Sequence, residues 1–279
     1  MNASSTFQSE RFEVIDAHTH IFPDAIADKA RDSVGKFYNM PMFTTGTLSE
    51  LYKARLMCVA PYKIAAQAIF SPAITAKQTK GINDFISSLC RSDKTLIGFG
   101  TLHKDNDDYA REIKRIKRLG LRGVKFHSDF QQTDIDDEKM LPIYREIANN
   151  KMPVIFHMGD KKLSYSSVSK LKNVIDELPD LVIIAAHMGG FSHWREAYDI
   201  LPVNGNLYFD TSSTLNFISD YEFRAFIDKF GADKFFFGSD FPMWNPNEEL
   251  NKLHRLNLSV DDFRKIEYYN FAGFLKKYC

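Results

Sequence analysis

Short apolar segments alternate with longer amphipathic segments along most of the chain. The apolar segments predict buried β-strands, which from the third onward recur at intervals of about 25–30 residues, the length of one strand–helix unit. The eight predicted strands cover residues 14–17, 65–70, 96–100, 123–126, 153–156, 182–186, 207–209 and 235–237. Amphipathic periodicity predicts helices over residues 107–119, 136–149, 168–178 and 221–230, and glycines at 120 and 231 are placed to end two of them.

Strands that are apolar along their whole length are typical of a parallel sheet covered by helices. Eight of them fit a closed (β/α)8 TIM barrel, of the α/β class, better than an open doubly wound sheet. The length of 279 residues suits one barrel, since such a domain needs about 250 residues. We therefore predict a single domain over residues 1–279. No glycine-rich nucleotide-binding motif of the Rossmann or P-loop type is present in the sequence.

The connection between the first two predicted strands, at about residues 21–63, is longer than the others. Its aromatic side chains and methionines, among them Phe22, Met40 and Phe43, are typical of a partly apolar lid over the mouth of a barrel. Additional packing against the top of the barrel explains the same composition, and the sequence leaves both alternatives open.

The charge balance narrows the choice of partners. The 36 Lys and Arg residues equal the 36 Asp and Glu residues, so no global field attracts nucleic acid or an anionic membrane. The basic segment at 111–118 carries isoleucines at helical spacing, which is typical of a solvated helix face. Residues 1–13 lack the features of a signal peptide, no apolar segment reaches the roughly 20 residues of a membrane helix, and the three cysteines have no disulfide or metal spacing. We predict a cytoplasmic protein that acts on a small molecule, with homo-oligomerisation left open.

Polar side chains follow the predicted strands at the point where each strand ends. His18 and His20 end the first strand two residues apart, so they project from the same face and form half of a metal site. Later strands end in Lys125, His127, His157, His187, Asp210 and Asp240. Because the active sites of TIM barrels are built from the C-terminal ends of several strands, we predict a metal site there.

The individual polar residues differ in how far their position supports a functional role. Asp240 follows three phenylalanines, where an uncompensated carboxylate would be costly, so a bound cation is expected beside it. Asp210 is equally well explained as the start of a helix. We expect His103, His193 and His254 to lie at the surface, in loops or helices.

These motifs resemble those of the amidohydrolase superfamily, and more narrowly its amidohydrolase-related branch, which includes aminocarboxymuconate-semialdehyde decarboxylase and many predicted hydrolases. The resemblance extends from Ile15 to Ala272 and rests on the H-x-H pair, a His after the fifth strand, His-Met-Gly-Gly at 187–190 and Gly-Ser-Asp-Phe-Pro at 238–242. It implies a catalytic role in proton transfer for His187, and Asp240, near both the metal and its water, is the second catalytic residue that we predict, as acceptor of the water proton. It also implies one divalent metal ion, usually zinc, bound by His18, His20, His157 and Asp240.

The role of Lys125 is ambiguous within this resemblance. Two-metal members use a carboxylated lysine at this position to bridge two ions, whereas decarboxylase-like members do not. Lys125 and His127 are two residues apart on one strand, so both can face the mouth. Lys125 is a bridging carbamate, an anchor for a substrate anion or part of a solvated strand end, and we favour substrate binding by Lys125 and His127.

The expected reaction follows from the ligand set. Two or three neutral imidazoles leave a metal strongly Lewis acidic, with a coordinated water of pKa about 7. The first hypothesis is therefore hydrolysis of an amide, ester or lactone of a small organic acid. The alternative is non-oxidative decarboxylation of a small carboxylic acid, and a planar substrate would suit the aromatic residues near the mouth, Phe22, Phe43, Trp194, Phe241 and Trp244.

A metal-dependent nuclease and a non-enzymatic scaffold fit the sequence less well. Nucleases on this barrel carry a Glu as a second-metal ligand where Lys125 stands, and zero net charge supplies no field that would attract phosphates. A scaffold is disfavoured because all five implied site residues are present.

Overall fold

The computed structural model describes residues 12–58, 61–203 and 205–279. Residues 1–11, which make up most of the segment without signal-peptide features, lie outside the described residues. The described chain contains nine strand segments, and every pairing between them is parallel. They are β1 (Phe12–His20), β2 (Tyr62–Phe70), β3 (Leu96–Gly98), β4 (Gly100–Thr101), β5 (Val124–Phe126), β6 (Val154–Phe156), β7 (Ile183–Ala185), β8 (Leu207–Asp210) and β9 (Phe235–Phe236).

Two junctions join these segments into one closed barrel. β3 and β4 are halves of a single strand, because Phe99 between them donates its N–H to Ile69 of β2 over 3.0 Å while β4 pairs with β5. The second junction joins the ends of the sheet, where Ala17 of β1 donates its N–H to the carbonyl of Phe237 over 2.8 Å. The nine segments therefore form the eight strands of the (β/α)8 TIM barrel that the sequence predicts.

The helices cover the outside of the barrel and the connections at its two ends. The four helices predicted from periodicity are present as α4 (Tyr109–Arg118), α6 (Met140–Asn149), α7 (Val168–Glu177) and α9 (Asp220–Phe230). Gly120 and Gly231 follow two of them with φ of 79° and 87°. In α4 the isoleucines at 113 and 116 are buried and the basic residues point outward, as predicted. None of the helices in the described ranges is long and apolar enough to cross a membrane. The helices are α1 (Asp24–Tyr38), α2 (Leu48–Met57), α3 (Thr79–Ser92), α4 (Tyr109–Arg118), α5 (Ser128–Gln131), α6 (Met140–Asn149), α7 (Val168–Glu177), α8 (Trp194–Ile200), α9 (Asp220–Phe230), α10 (Pro246–Arg255), α11 (Val260–Arg264) and α12 (Asn270–Tyr278).

Alternation along the strands separates an outer layer of side chains, which packs against the helices, from an inner layer, which fills the barrel. Lys125 occupies the inner layer, because it lies in register with Ile155, which in turn lies in register with Ile184. Strand periodicity thus places a fully buried lysine inside the barrel. The apolar members of the inner layer include Ile15, Ala17, Ala68, Phe70, Phe99, Ile155, Ile184, Ala186 and Phe236.

The C-terminal helix α12 closes the end of the barrel at which the strands begin. Phe271 and Phe274 are buried and pack against the ring of Phe236, with centroids 5.1 and 5.2 Å apart. This end is filled by apolar side chains. The polar residues singled out from the sequence lie at the opposite end, where the strands finish.

The long connection at residues 21–63 contains α1 and α2. α1 ends beside the mouth, where Phe37 and Tyr38 approach the ring of Phe130 to 4.9 and 6.0 Å between centroids. Phe43 packs edge-on against Phe241, 6.5 Å away. Aromatic residues of this connection therefore cover part of the mouth.

Candidate active site

Asp210 at the end of β8 orients the ring of His18 at the end of β1. The Nδ1 atom of His18 lies 2.7 Å from Oδ2 of Asp210, and both residues are buried. Burial alone would raise the pKa of Asp210, but its contact with His18 lowers that pKa well below the ordinary value, so the carboxylate is ionised. Since Nδ1 donates to this carboxylate, Nε2 of His18 presents its lone pair to the interior of the mouth.

Nε2 of His18 is one corner of a compact triangle of ligand atoms. It lies 3.3 Å from Nε2 of His20 and 3.4 Å from Oδ1 of Asp240, and these last two atoms are 3.5 Å apart. Burial lowers the pKa of His20 well below its ordinary value, so this ring is a neutral imidazole. Neutral imidazoles and a carboxylate are the donors that divalent transition metals bind.

His157 after β6 and His187 after β7 turn their lone pairs toward each other. Nε2 of His157 lies 3.0 Å from the carbonyl of Gly159, and Nδ1 of His187 lies 3.0 Å from the carbonyl of Ser212. Because carbonyls only accept hydrogen bonds, these two nitrogens carry the ring protons. The other nitrogens, Nδ1 of His157 and Nε2 of His187, face each other over 2.9 Å without a proton between them. Two facing lone pairs repel each other, and a cation bound to either nitrogen would remove that repulsion.

Burial keeps both of these rings neutral. It lowers the pKa of His157 well below its ordinary value and that of His187 to about 4. The donor set therefore fits a divalent metal ion. Three of the predicted ligands, His18, His20 and Asp240, form one group whose ligand atoms lie within 4.8 Å of one another. His157 lies outside this group and is linked to it by His187, whose ring centroid is 5.1 Å from that of His18 and 4.7 Å from that of His157.

Asp240 and His187 both lie in the left-handed region of backbone space, with φ of 58° and 57°. Non-glycine residues adopt this conformation at a cost of about 1–2 kcal/mol. At Asp240 a hydrogen bond of 2.9 Å from its N–H to the carbonyl of His18 stabilises it, and at His187 the N–H bonds to Asp210 over 3.1 Å. The site thus contains two strained residues at the positions predicted to be catalytic.

Lys125 lies below the histidines, inside the barrel. Its Nζ atom is 3.3 Å from Nε2 of His18 and 4.9 Å from the centre of the Phe70 ring. Burial lowers the pKa of Lys125 to about 8. Because Lys125 is buried, it is not part of a solvated strand end, which was one of the three alternatives for this residue. Its amino group lies beside the cluster of ligand atoms.

Tyr38 and Asp129 belong to the site although the sequence did not indicate them. The hydroxyl of Tyr38, at the end of α1, lies 3.1 Å from Nε2 of His127 and 3.3 Å from Nε2 of His157, whose rings stack with centroids 3.8 Å apart. Asp129 is buried beside His157, with Oδ2 3.8 Å from Nε2 and accepting from Ser166. Neither residue follows a predicted strand directly, so no motif marks it.

A row of aromatic rings borders the mouth on the side of β7 and β8. Phe191, Trp194 and Phe217 contact one another at 5.3–6.0 Å, and Phe217 lies 6.1 Å from Trp244. The indole N–H groups of Trp194 and Trp244 link this row to the site by hydrogen bonds. Trp194 donates to the carbonyl of His187 over 2.9 Å, and Trp244 donates over 2.9 Å to the Ser213 hydroxyl that in turn bonds to Asp240.

A positive charge lies over this aromatic row. Nζ of Lys161, an exposed residue after β6, is 5.6 Å from the centre of the Phe191 ring and 5.5 Å from that of Phe217. The described residues include no carboxylate paired with Lys161. A flat, anionic molecule would therefore find both a ring surface and a cation at this edge of the mouth.

Asp16 holds the loop that carries Asp240. Its carboxylate accepts hydrogen bonds from the N–H (2.9 Å) and hydroxyl (2.6 Å) of Ser239, and all three groups are buried. Burial raises the pKa of Asp16 to about 6. This pair fixes the residue that immediately precedes Asp240.

The three remaining histidines lie outside the site. His193 is exposed, as predicted, and His254 is half-buried against Tyr62, 4.4 Å between centroids. The prediction for His103 is wrong, because it is only 6% exposed. Its Nδ1 accepts the N–H of Asp105 over 3.2 Å, which turns the ring into the loop after β4 instead of outward.

Comparison with known proteins agrees with the geometry. A family model described as amidohydrolase matches residues 15–275. The chain belongs to the amidohydrolase family. The match contains the strand-end histidines and Asp240, and it confirms the resemblance drawn from their motifs. The chain is accordingly assigned to a superfamily of enzymes.

Solved structures of other proteins share the fold of this chain. A 5-carboxyvanillate decarboxylase from Novosphingobium aromaticivorans, complexed with manganese and 4-hydroxy-3-methoxy-5-nitrobenzoic acid, is 17% identical (96% of this chain, 97% of that chain, TM-score 0.73). A 2,6-dihydroxybenzoate decarboxylase from Rhizobium is 19% identical (96% and 99%, TM-score 0.70). A protein predicted to be a 2-pyrone-4,6-dicarboxylic acid hydrolase, from Pseudomonas putida, is 16% identical (96% and 98%, TM-score 0.69). These identities establish a common barrel and leave the reaction to be argued from the site.

Proposed function

We propose that the protein is a metal-dependent decarboxylase of small, planar carboxylic acids. The observation that carries this proposal is the composition of the mouth, where imidazole and carboxylate metal ligands and the buried Lys125 lie beside a row of aromatic rings that ends in Lys161. A flat ring suits the aromatic row, and a carboxylate suits a divalent ion and a lysine. The decarboxylases of aromatic acids that share the fold support the same assignment.

We propose one divalent ion, held by His18, His20, His157 and Asp240, with His187 beside it. When bound, such an ion supplies a Lewis acid that anchors and polarises the substrate carboxylate. Zinc, expected from the family resemblance, and manganese, present in the 5-carboxyvanillate decarboxylase, are the two ions to compare. A second ion on a carboxylated Lys125 is the alternative, which elemental analysis distinguishes by stoichiometry.

Side chains of the site supply charge compensation and proton transfer for the decarboxylation. The bond between the carboxyl carbon and its neighbour breaks, its electron pair stays on the neighbouring carbon, a proton adds there, and carbon dioxide leaves. Lys125, inside the barrel, offsets the charge of the carboxylate before it is lost. Asp240 at Oδ1 and His187 at Nε2 are the groups beside the ligand cluster that can hold the incoming proton.

The test uses protein reconstituted separately with Zn²⁺ and with Mn²⁺ and assayed in D₂O. The substrates are 2,6-dihydroxybenzoate, 5-carboxyvanillate and a panel of related aromatic acids. Decarboxylation predicts release of carbon dioxide and one deuterium at the ring carbon that lost its carboxyl group. Asp240→Asn should lose this activity by at least about 100-fold, whereas Asp199→Asn, an exposed carboxylate paired with Arg195, should keep it.

Hydrolysis, the first hypothesis from the sequence, remains the second candidate because the predicted 2-pyrone-4,6-dicarboxylic acid hydrolase shares the fold. Lactones and amides of the same acids, incubated in ¹⁸O-labelled water, give a labelled acid if the enzyme is a hydrolase. Labelled acid without carbon dioxide release would replace the decarboxylase proposal.

The cytoplasmic location and the self-association of the protein stay predictions.

A further inference from the structure

The hydroxyl of Tyr38 is approached by two ring nitrogens at the mouth. Nε2 of His127 lies 3.1 Å from it and Nε2 of His157 lies 3.3 Å from it. A phenol oxygen accepts two hydrogen bonds and donates one. Whether the Tyr38 hydroxyl can donate its proton to another residue therefore depends on which nitrogen of each ring carries the ring proton.

The second nitrogen of each ring settles its protonation. Nε2 of His157 also faces the carbonyl of Gly159 at 3.0 Å, so it carries a proton, and its Nδ1 points to His187. Nδ1 of His127 accepts the N–H of Phe130 at the start of α5, over 3.4 Å, so the ring proton lies on Nε2. Both Nε2 atoms carry a proton. The oxygen of Tyr38 accepts from Nε2 of His127, and it shares the proton on Nε2 of His157 with the nearer carbonyl of Gly159. The proton of Tyr38 itself therefore has no acceptor among the residues that the structure describes.

The position of Tyr38 limits which part of a bound substrate the proton of its hydroxyl can reach. The lone pair of His157 is on Nδ1, which faces His187 beside the other ligand residues, whereas Tyr38 meets the same ring at Nε2, on its far side. A carboxylate bound among the ligand atoms is thus separated from Tyr38 by an imidazole ring. The group that Tyr38 can reach is a second oxygen on the substrate ring.

The surroundings of Tyr38 suit an aromatic substrate rather than water alone. The ring of Phe191, the first member of the aromatic row, stands edge-on to Tyr38 with centroids 6.1 Å apart. Phe37 and Phe130 cover its other side at 4.8 and 6.0 Å. The hydroxyl is therefore held in place by rings and presents one donor to whatever occupies the mouth.

We propose that Tyr38 is a specificity residue whose hydroxyl donates a hydrogen bond to a ring-bound oxygen of the substrate. The site then selects hydroxy- or alkoxy-substituted aromatic acids over acids without such a group. This inference rests on the proposed function for the kind of molecule bound, and its test measures binding instead of turnover. No step of the reaction is assigned to Tyr38.

The experiment is a double-mutant cycle between protein and ligand. Protein loaded with Mn²⁺ is titrated with 3-hydroxybenzoate and with benzoate, which differ by one ring hydroxyl placed away from the carboxylate, and the dissociation constants are measured by calorimetry. Tyr38→Phe should weaken 3-hydroxybenzoate binding about 3- to 10-fold, the range for one lost hydrogen bond, and change benzoate binding less than twofold. Phe37→Leu, which alters the packing of α1 but keeps the hydroxyl, should leave the ratio of the two constants unchanged.

Each outcome of these titrations decides the proposal. An equal loss for both ligands would make Tyr38 a structural support of the mouth and overturn it, as would an unchanged ratio or the absence of binding to the wild-type protein. A selective loss for 3-hydroxybenzoate supports it, with thermal melting used to confirm that Tyr38→Phe is folded. Selective binding without carbon dioxide release in the separate assay would refute decarboxylation and leave the role of Tyr38 standing.

Discussion

His157 and His187 face each other through nitrogens 2.9 Å apart, and each ring uses its other nitrogen to donate to a main-chain carbonyl. The two lone pairs repel unless a cation lies beside them. This relationship couples the stability of the mouth to metal binding, because a protein without metal retains the repulsion, whereas an ion bound at Nδ1 of His157 removes one of the two facing lone pairs.

Removal of metal should therefore lower the thermal stability of the protein. An ion present at 100 times its dissociation constant stabilises the fold by about 2.7 kcal/mol, so we expect a melting temperature several degrees lower after chelation and recovery on adding Mn²⁺ or Zn²⁺. Scanning fluorimetry measures both. His20→Ala, which removes one ligand from the triangle, should respond much less, and a wild-type melting temperature indifferent to metal would contradict the site.

Asp210→Asn should weaken metal binding without removing any ligand. The amide no longer holds the proton on Nδ1 of His18, so Nε2 loses its fixed lone pair. Loss of such an orienting carboxylate typically costs 10–100-fold in metal affinity. Competition with a chromogenic chelator gives the affinity, and Asp199→Asn on the exposed surface is the matched control. Equal affinities of the wild type and Asp210→Asn would show that His18 is oriented by other contacts.

Ser239→Ala should destabilise the loop before Asp240. It removes the 2.6 Å hydrogen bond to the buried Asp16, and a hydrogen bond to a charged group contributes about 1.5–3 kcal/mol. Urea unfolding measures the loss in the free energy of unfolding. Ser88→Ala, at an exposed hydroxyl of α3 that bonds only to a carbonyl of its own helix, should change it by less than about 0.5 kcal/mol. Similar values for the two variants would refute the role of Asp16.

Gly159→Ala should lower the free energy of unfolding because the loop after β7, which contains Phe191, packs closely against Gly159. A Cβ at Gly159 would lie 2.3 Å from the carbonyl oxygen of Phe191, and φ is 80°. Gly120 has almost the same φ, 79°, but open space around it, so Gly120→Ala measures the backbone cost alone. We expect Gly159→Ala to lose about 1–3 kcal/mol more than this control in chemical unfolding. Equal losses would mean that the neighbouring loop moves aside freely.

The barrel and the placement of its polar residues were predictable because strand periodicity acts locally. Side chains two residues apart share a face, so His18 and His20, and likewise Lys125 and His127, follow from the pattern once the strands are located. The rule that barrel sites form where strands end then brings residues from distant strands together. The burial of His103 was missed, since a hydrogen bond inside a four-residue turn leaves no periodic signal.

The residue pattern was enough to locate the strand ends and the chemistry that they carry: imidazoles, a lysine and carboxylates at one end of a (β/α)8 barrel. The pattern does not show which nitrogen of each ring faces the site, because that depends on partners far along the chain, such as Asp210 for His18. The tertiary structure settles this orientation, and it also places Tyr38, from a connection without a motif, against His127 and His157. Periodicity determines the side of a strand on which a residue projects, whereas long-range hydrogen bonds between loops determine which of its atoms face the site.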